Sequence, residues 1–278
     1  MHQISEYKLQ TTDGIFLYYQ KWHAKQPKGS LIITHGHGEH SDSYLRVVEA
    51  LKPLSLDIYA WDLRGHGRSE GQRGYAPSFT HYIDDYSQFI GHLDQQFKIF
   101  SHKVFVLAHS LGGLVQLRGL QNNPQWKIQA QVLSGPLLDV SVDVPLIKDF
   151  ASLLASKIFP RLTLGNQIKN SDLSRDQNVI PEYEQDVLRH EKMSPGVYLG
   201  FIENSMLTQK YICPISTLVQ IAEHDPVVSS QKIIYWSKKQ NPNHFKLIIY
   251  PDRKHEIYND LYREQVFGDL IQFLKENI

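Results

Sequence analysis

The chain has 278 residues and a mass of 32.2 kDa, enough to bury a large core as one α/β domain or as a domain carrying an insertion. Lysine plus arginine equals aspartate plus glutamate at 29 each, which excludes a global field drawing in nucleic acid or an acidic surface; any charged partner is met locally. The single cysteine, Cys213, excludes an internal disulfide, and its flanks read as a buried thiol near a strand start.

The N-terminus, Met1 to Lys8, lacks the apolar core of a signal peptide, and no later stretch approaches the roughly 18 apolar residues of a membrane span. A soluble, cytoplasmic protein is the expectation. Two β-rich runs, Tyr7 to Thr11 and Phe16 to Trp22, flank Asp13-Gly14, a hairpin signal. Ser30 to Thr34 reads as a buried strand, followed by the loop His35-Gly36-His37-Gly38-Glu39-His40 and a helix near Tyr44 to Leu54. The strand from Leu56 to Trp61 runs into Asp62-Leu63-Arg64-Gly65-His66-Gly67-Arg68-Ser69. Those glycines miss the dinucleotide-binding spacing by one residue and open no immediate helix, so they read as a structural turn.

A long helix from about Phe79 to Phe97 precedes the apolar strand Lys103 to Leu107, then Ala108-His109-Ser110-Leu111-Gly112, a helix, and a strand at Ala130 to Ser134. From residue 136 to 211 the alternation stops: Pro145, Pro160, Pro181 and Pro195 separate helix-length pieces with no convincing strand. This is the expected cap, inserted between core segments 1–135 and 212–278. Within it Leu146 to Phe159 is helical and apolar on more than one face, suited to packing on the main domain or to facing acyl chains or a membrane. The alternation resumes with strands Ile215 to Ala222 and Lys246 to Tyr250, a helix near Ser229 to Lys239, and a last amphipathic helix from about Leu261 to Asn277. Strands alternating with helices imply an α/β fold whose mostly parallel sheet is flanked by helices and gathers its site at the strands' C-terminal ends.

A serine on a sharp strand-to-helix turn, with small residues two before and two after it, is the geometry of a nucleophile elbow. Here those residues are Ala108 and Gly112; the alanine departs from G-x-S-x-G by one methyl group. A serine hydroxyl needs a histidine to take its proton, and the histidine an acid to hold its tautomer. Downstream, each on a loop past a strand, lie Asp225 and His255. Asp139, after the strand that follows the elbow, competes for the acid's place; His224 and His109 compete less well for the base's. Two N–H groups must meet the developing oxyanion, one from Leu111 and one from the glycine and histidine loop at His37. That loop also carries a rival: His35, His37, Glu39 and His40 resemble the His-x-His-x-Asp-His zinc motif, which would make a metal-dependent hydrolase.

Taken together, His35-Gly36-His37-Gly38-Glu39-His40-Ser41, Asp62 to Gly71 and His109-Ser110-Leu111-Gly112-Gly113 resemble the monoacylglycerol lipase and lysophospholipase branch of the α/β-hydrolases, serine aminopeptidase S33-like proteins. The likeness extends into the cap at Phe159 to Gly165 and Leu173 to Asp176. It implies an α/β-hydrolase fold with an eight-stranded sheet and a helical cap, Ser110, Asp225 and His255 as triad, and the amides of His37 and Leu111 as oxyanion hole. It also implies no cofactor and a small lipid ester as substrate, with small esters or peptides as alternatives. His37 stands where monoacylglycerol lipase has a small residue, so it narrows or polarises the mouth of the site.

Overall fold

The computed structural model describes residues 3–140 and 146–278; the readings of Met1, His2, Pro145 and the faces of the helix over residues 146–151 lie outside the described residues. Strands β1 (Gln3–Gln10) and β2 (Phe16–His23) pair antiparallel across the Asp13-Gly14 turn. After them come β3 (Gly29–Thr34), α1 (Leu45–Leu51), β4 (Asp57–Trp61), α2 (Thr80–Phe97), β5 (Lys103–His109), α3 (Ser110–Asn122) and β6 (Ile128–Ser134). The C-terminal part adds β9 (Ser216–Ala222), α8 (Ser230–Ser237), β10 (Phe245–Tyr250) and α9 (Arg263–Asn277). All eight of these strands lie in one sheet, ordered β1-β2-β4-β3-β5-β6-β9-β10, with β3, β4, β5, β6, β9 and β10 parallel. This is the α/β-hydrolase arrangement.

Successive strand side chains point to opposite faces, so the apolar runs bury two layers. Ile32, Val106 and Leu133 face α2 and α3 with Tyr82, Phe89, Leu114 and Leu117. Ile33, Leu107 and Val132 face α1 and α9 with Val47, Leu51, Leu270 and Leu274. A sheet covered on both sides is what continuous apolar strands require.

Between β6 and β9 the chain leaves the sheet, forming α4 (Leu146–Ile158), β7 (Leu164–Gly165), α5 (Asn170–Leu173), α6 (Val179–Gln185), β8 (Lys192–Met193) and α7 (Pro195–Thr208). Helix α7 has Pro195 in its first turn and Ser194 as a cap accepting the Val197 N–H at 3.3 Å; it lies against α3 and α4. The antiparallel ribbon β7–β8 corrects the expectation of a strandless segment: two residue pairs are too short for an alternating pattern to register. Helix α9 begins two residues after the sequence suggests, because Tyr262 takes a left-handed conformation at φ 57°. Among the described residues no helix is long and apolar enough to cross a membrane.

Candidate active site

Strand β5 delivers the chain to Ser110, whose φ of 49° is uncommon for a non-glycine residue and costs on the order of 1–3 kcal/mol. The turn is forced by close approach. A Cβ on Gly112 would stand 2.3 Å from the carbonyl oxygen of His35 and 2.5 Å from that of Thr34, so α3 leaves β5 pressed against the end of β3. Ala108 needs no such freedom: it is a fully buried strand residue paired with Thr34 and Leu133, which explains why a methyl group is accommodated. Gly112→Ala is expected to lower the melting temperature by several degrees and to cut turnover at least tenfold, because two backbone carbonyls cannot step aside; thermal unfolding with initial rates checks both.

The loop after β10 brings His255 beside Asp225, which lies on the loop after β9. His255 Nδ1 is 2.7 Å from Asp225 Oδ2, and the Val227 and Val228 amides donate to Asp225 Oδ1 at 2.8 and 3.0 Å. With a carboxylate at Nδ1, that nitrogen carries the proton and Nε2 keeps its lone pair. Burial disfavours the charged imidazole, yet the charge of Asp225 and its hydrogen bond outweigh burial and raise His255 above its ordinary value. Burial likewise pushes Asp225 up, and His255 overcomes it, so the carboxyl stays lowered and ionised. Ser110 and His255 line one cavity of about 340 Å³ with Gly36, His37, Glu39 and Glu256.

The loop after β3 closes the other side of this cavity. Glu39 Oε1 accepts the Gly36 N–H at 2.5 Å and the Tyr44 hydroxyl at 2.9 Å, which sets the backbone path through His37. The Leu111 amide lies in the first turn of α3, where no earlier helical carbonyl can accept it. The His37 ring packs edge-on against His66 at 5.3 Å and His190 at 5.4 Å. Burial lowers His37 to about 4 and His190 to about 3, so this aromatic stack is neutral near pH 7.

A family model described as serine aminopeptidase, S33, matches residues 25–262. The chain belongs to this family. This S33 hydrolase is 28% identical over 249 residues to a protein of Bacillus subtilis named phospholipase YtpA, covering 88% of this chain and 95% of that one. It is 26% identical over 285 residues to a monoacylglycerol lipase of Mycolicibacterium smegmatis, covering 99% and 98%. The crystal structure of Paleococcus ferrophilus monoacylglycerol lipase superposes with a TM-score of 0.84 at 26% identity, over 94% of this chain and 99% of that one. The chain is an enzyme of the hydrolase class, related to ester-cleaving lipases.

Of three other residues weighed from the sequence in this S33 hydrolase, Asp139 and His224 lie away from the cavity, while His109 lines it beside His255 with its ring nitrogen engaged by the backbone. The carboxylate of Asp139 faces Lys232 at 3.6 Å and its own Val140 N–H at 2.9 Å; His224 is exposed. His109 donates from Nδ1 to the Ser134 carbonyl at 2.9 Å, and burial, with the nearby His255 charge, lowers it to about 3. The zinc ligands do not converge. His35 donates to the Gly36 carbonyl and accepts the Leu63 N–H, His40 pairs with Asp186 at 2.7 Å, and among the described residues no group of three metal-binding side chains forms.

Sequence reasoning missed Glu256, Arg189 and Tyr183, which meet in one buried network beside His255. A charged residue next to a candidate base was the only local signal. Arg189 lies in a segment without periodicity, 67 positions from the carboxylate it pairs with.

Proposed function

We propose that this chain is a serine hydrolase cleaving carboxylic esters of lipids, monoacylglycerols or lysophospholipids, through an acyl-enzyme. The single observation that carries the chemistry is the 2.7 Å Asp225–His255 bond, with His255 and Ser110 lining one cavity. In this reading Ser110 Oγ attacks the ester carbonyl carbon while His255 Nε2 takes its proton. The oxygen that gains charge is met by the N–H groups of Leu111 and His37. Collapse expels the alcohol, which leaves with the proton from His255. Water, deprotonated by His255, then attacks the acyl carbon; the acid departs and the proton returns to Ser110. This route uses neither metal nor organic cofactor.

The substrate class rests on the printed names of the relatives and on the segment outside the sheet, read as a cap over residues 136–211. Its surface exposes Leu153, Leu154, Ile158 and Phe159, each between 45% and 62% accessible, a band suited to acyl chains or to peripheral contact with a membrane. The family description favours a second reading, aminopeptidase chemistry on the same residues.

Two measurements test these statements separately. A fluorophosphonate probe is expected to label the wild type and not Ser110→Ala; labelling that persists in the variant overturns the nucleophile. A turnover panel sets monoacylglycerols of several chain lengths and lysophosphatidylcholine against short esters and aminoacyl amides. Higher kcat/KM for the lipid esters is expected, and preference for the amides would move the substrate while leaving the mechanism standing.

A further inference from the structure

The loop carrying His255 is not held by the sheet alone. Residues outside the sheet grip it: the His255 N–H donates to the Asp172 carbonyl at 3.3 Å and the Glu256 N–H to the Leu173 carbonyl at 2.9 Å. Three side chains then converge on Glu256. Arg189 Nη2 is 2.5 Å from Oε1, while the Tyr183 hydroxyl and the Asn259 amide donate to Oε2 at 2.5 and 3.0 Å. The Arg189 guanidinium lies over the Tyr183 ring at 4.0 Å, and both charged side chains are nearly sequestered, at 11% and 5% accessible.

We propose that Arg189 and Glu256 are positioning residues: through this buried pair the segment outside the sheet keeps the His255 loop aligned with Asp225 and fixes the charge that the imidazole meets. The proposal rests on His255 being the base. Several titratable groups face the His255 ring. Asp225 faces it from the loop after β9, Glu256 from its own loop, Glu39 from the loop after β3 and His109 from the end of β5, with Arg189 and Tyr183 standing behind Glu256 and Tyr44 behind Glu39. Two of these carboxyls, Glu39 and Glu256, both feel the charge of Arg189. Burial opposes ionisation of both. Arg189 overcomes it at Glu256 and holds that carboxyl at about 2, whereas burial and the Glu256 charge push Glu39 up to about 7.

Removing one partner therefore shifts the charge around His255 in a direction that depends on which partner is lost, and removing both lets the two shifts largely cancel. Glu256→Gln removes a carboxylate charge that raises His255, so the acid limb of the kcat/KM profile on a neutral ester is expected to move to lower pH. Arg189→Met strands carboxylate charge, and the limb is expected to move to higher pH. Each displacement should be about one pH unit. Each single variant is also expected to lower kcat about 10- to 100-fold with KM little changed, as misplacement of a catalytic group does. Arg189→Lys should restore the limb, and the double variant Arg189→Met/Glu256→Gln should return it toward wild type, with a kcat above that of Arg189→Met alone.

Limbs that stay in place, or that move in the same direction in both single variants, would overturn the proposal. So would a double variant whose loss equals the product of the single losses. Thermal unfolding checks folding; if Arg189→Met does not fold, Glu256→Gln and the double variant decide the question. Ser110→Ala separates the two failures: fluorophosphonate labelling that persists there removes the reading of the triad, whereas normal triad behaviour with unmoved limbs removes only the role of this pair.

Discussion

Ser110→Ala is expected to lower turnover of every ester the protein accepts by about 10⁵- to 10⁶-fold, the loss seen when a nucleophile that acts as a unit with its base is removed. Only one oxygen atom is deleted. Alanine can take the same φ of 49° at comparable cost, the side chain is almost fully buried, and the Ser110 carbonyl continues to accept the Leu137 N–H at 3.0 Å. Stability should therefore change by less than about 1 kcal/mol, so lost activity cannot be assigned to unfolding. Initial rates together with a thermal melt check the pair of statements. Turnover within 100-fold of wild type in a folded variant would return attention to another attacking group, such as metal-activated water.

Asp225→Asn has the second largest expected effect, about 10⁴-fold in kcat, with the fold retained. The reason lies in the donors around the carboxylate. Oδ1 already accepts two backbone N–H groups, from Val227 and Val228, so the asparagine carbonyl must take that place and its amide must face His255. An amide donor there makes Nδ1 an acceptor and sends the ring proton to Nε2, the nitrogen that receives the serine's proton in the proposed mechanism. Asp139→Asn should stay within about twofold of wild type, since that carboxylate faces Lys232 across 3.6 Å. Rates for the two variants at one pH decide the assignment, and the reverse pattern would give the acid's role to Asp139.

Much of this architecture was legible because it is written locally. Apolar strands of five to eight residues, separated by helices, dictate a covered and mostly parallel sheet. Helix ends were less legible. The start of α9 depends on Tyr262 adopting φ 57°, a conformation no propensity assigns to tyrosine. The ribbon β7–β8 joins residues 164–165 to residues 192–193, a pairing that tertiary contact creates and no periodicity announces.

The sequence by itself determined the order of elements, the elbow around Ser110, and a short set of acids and histidines on loops after strands, because turns and alternation are properties of neighbouring residues. Only the tertiary structure decided which of these meet. It put Asp225 rather than Asp139 on His255, sent His35 and His40 to separate partners, and turned the His37 ring onto His66 and His190. It also buried Glu39 and Glu256 within the field of Arg189. The reason is physical: hydrogen bonds and charge interactions depend on distances of a few ångströms and on exclusion of water. Both are set by packing between residues far apart in the chain, which no local pattern encodes.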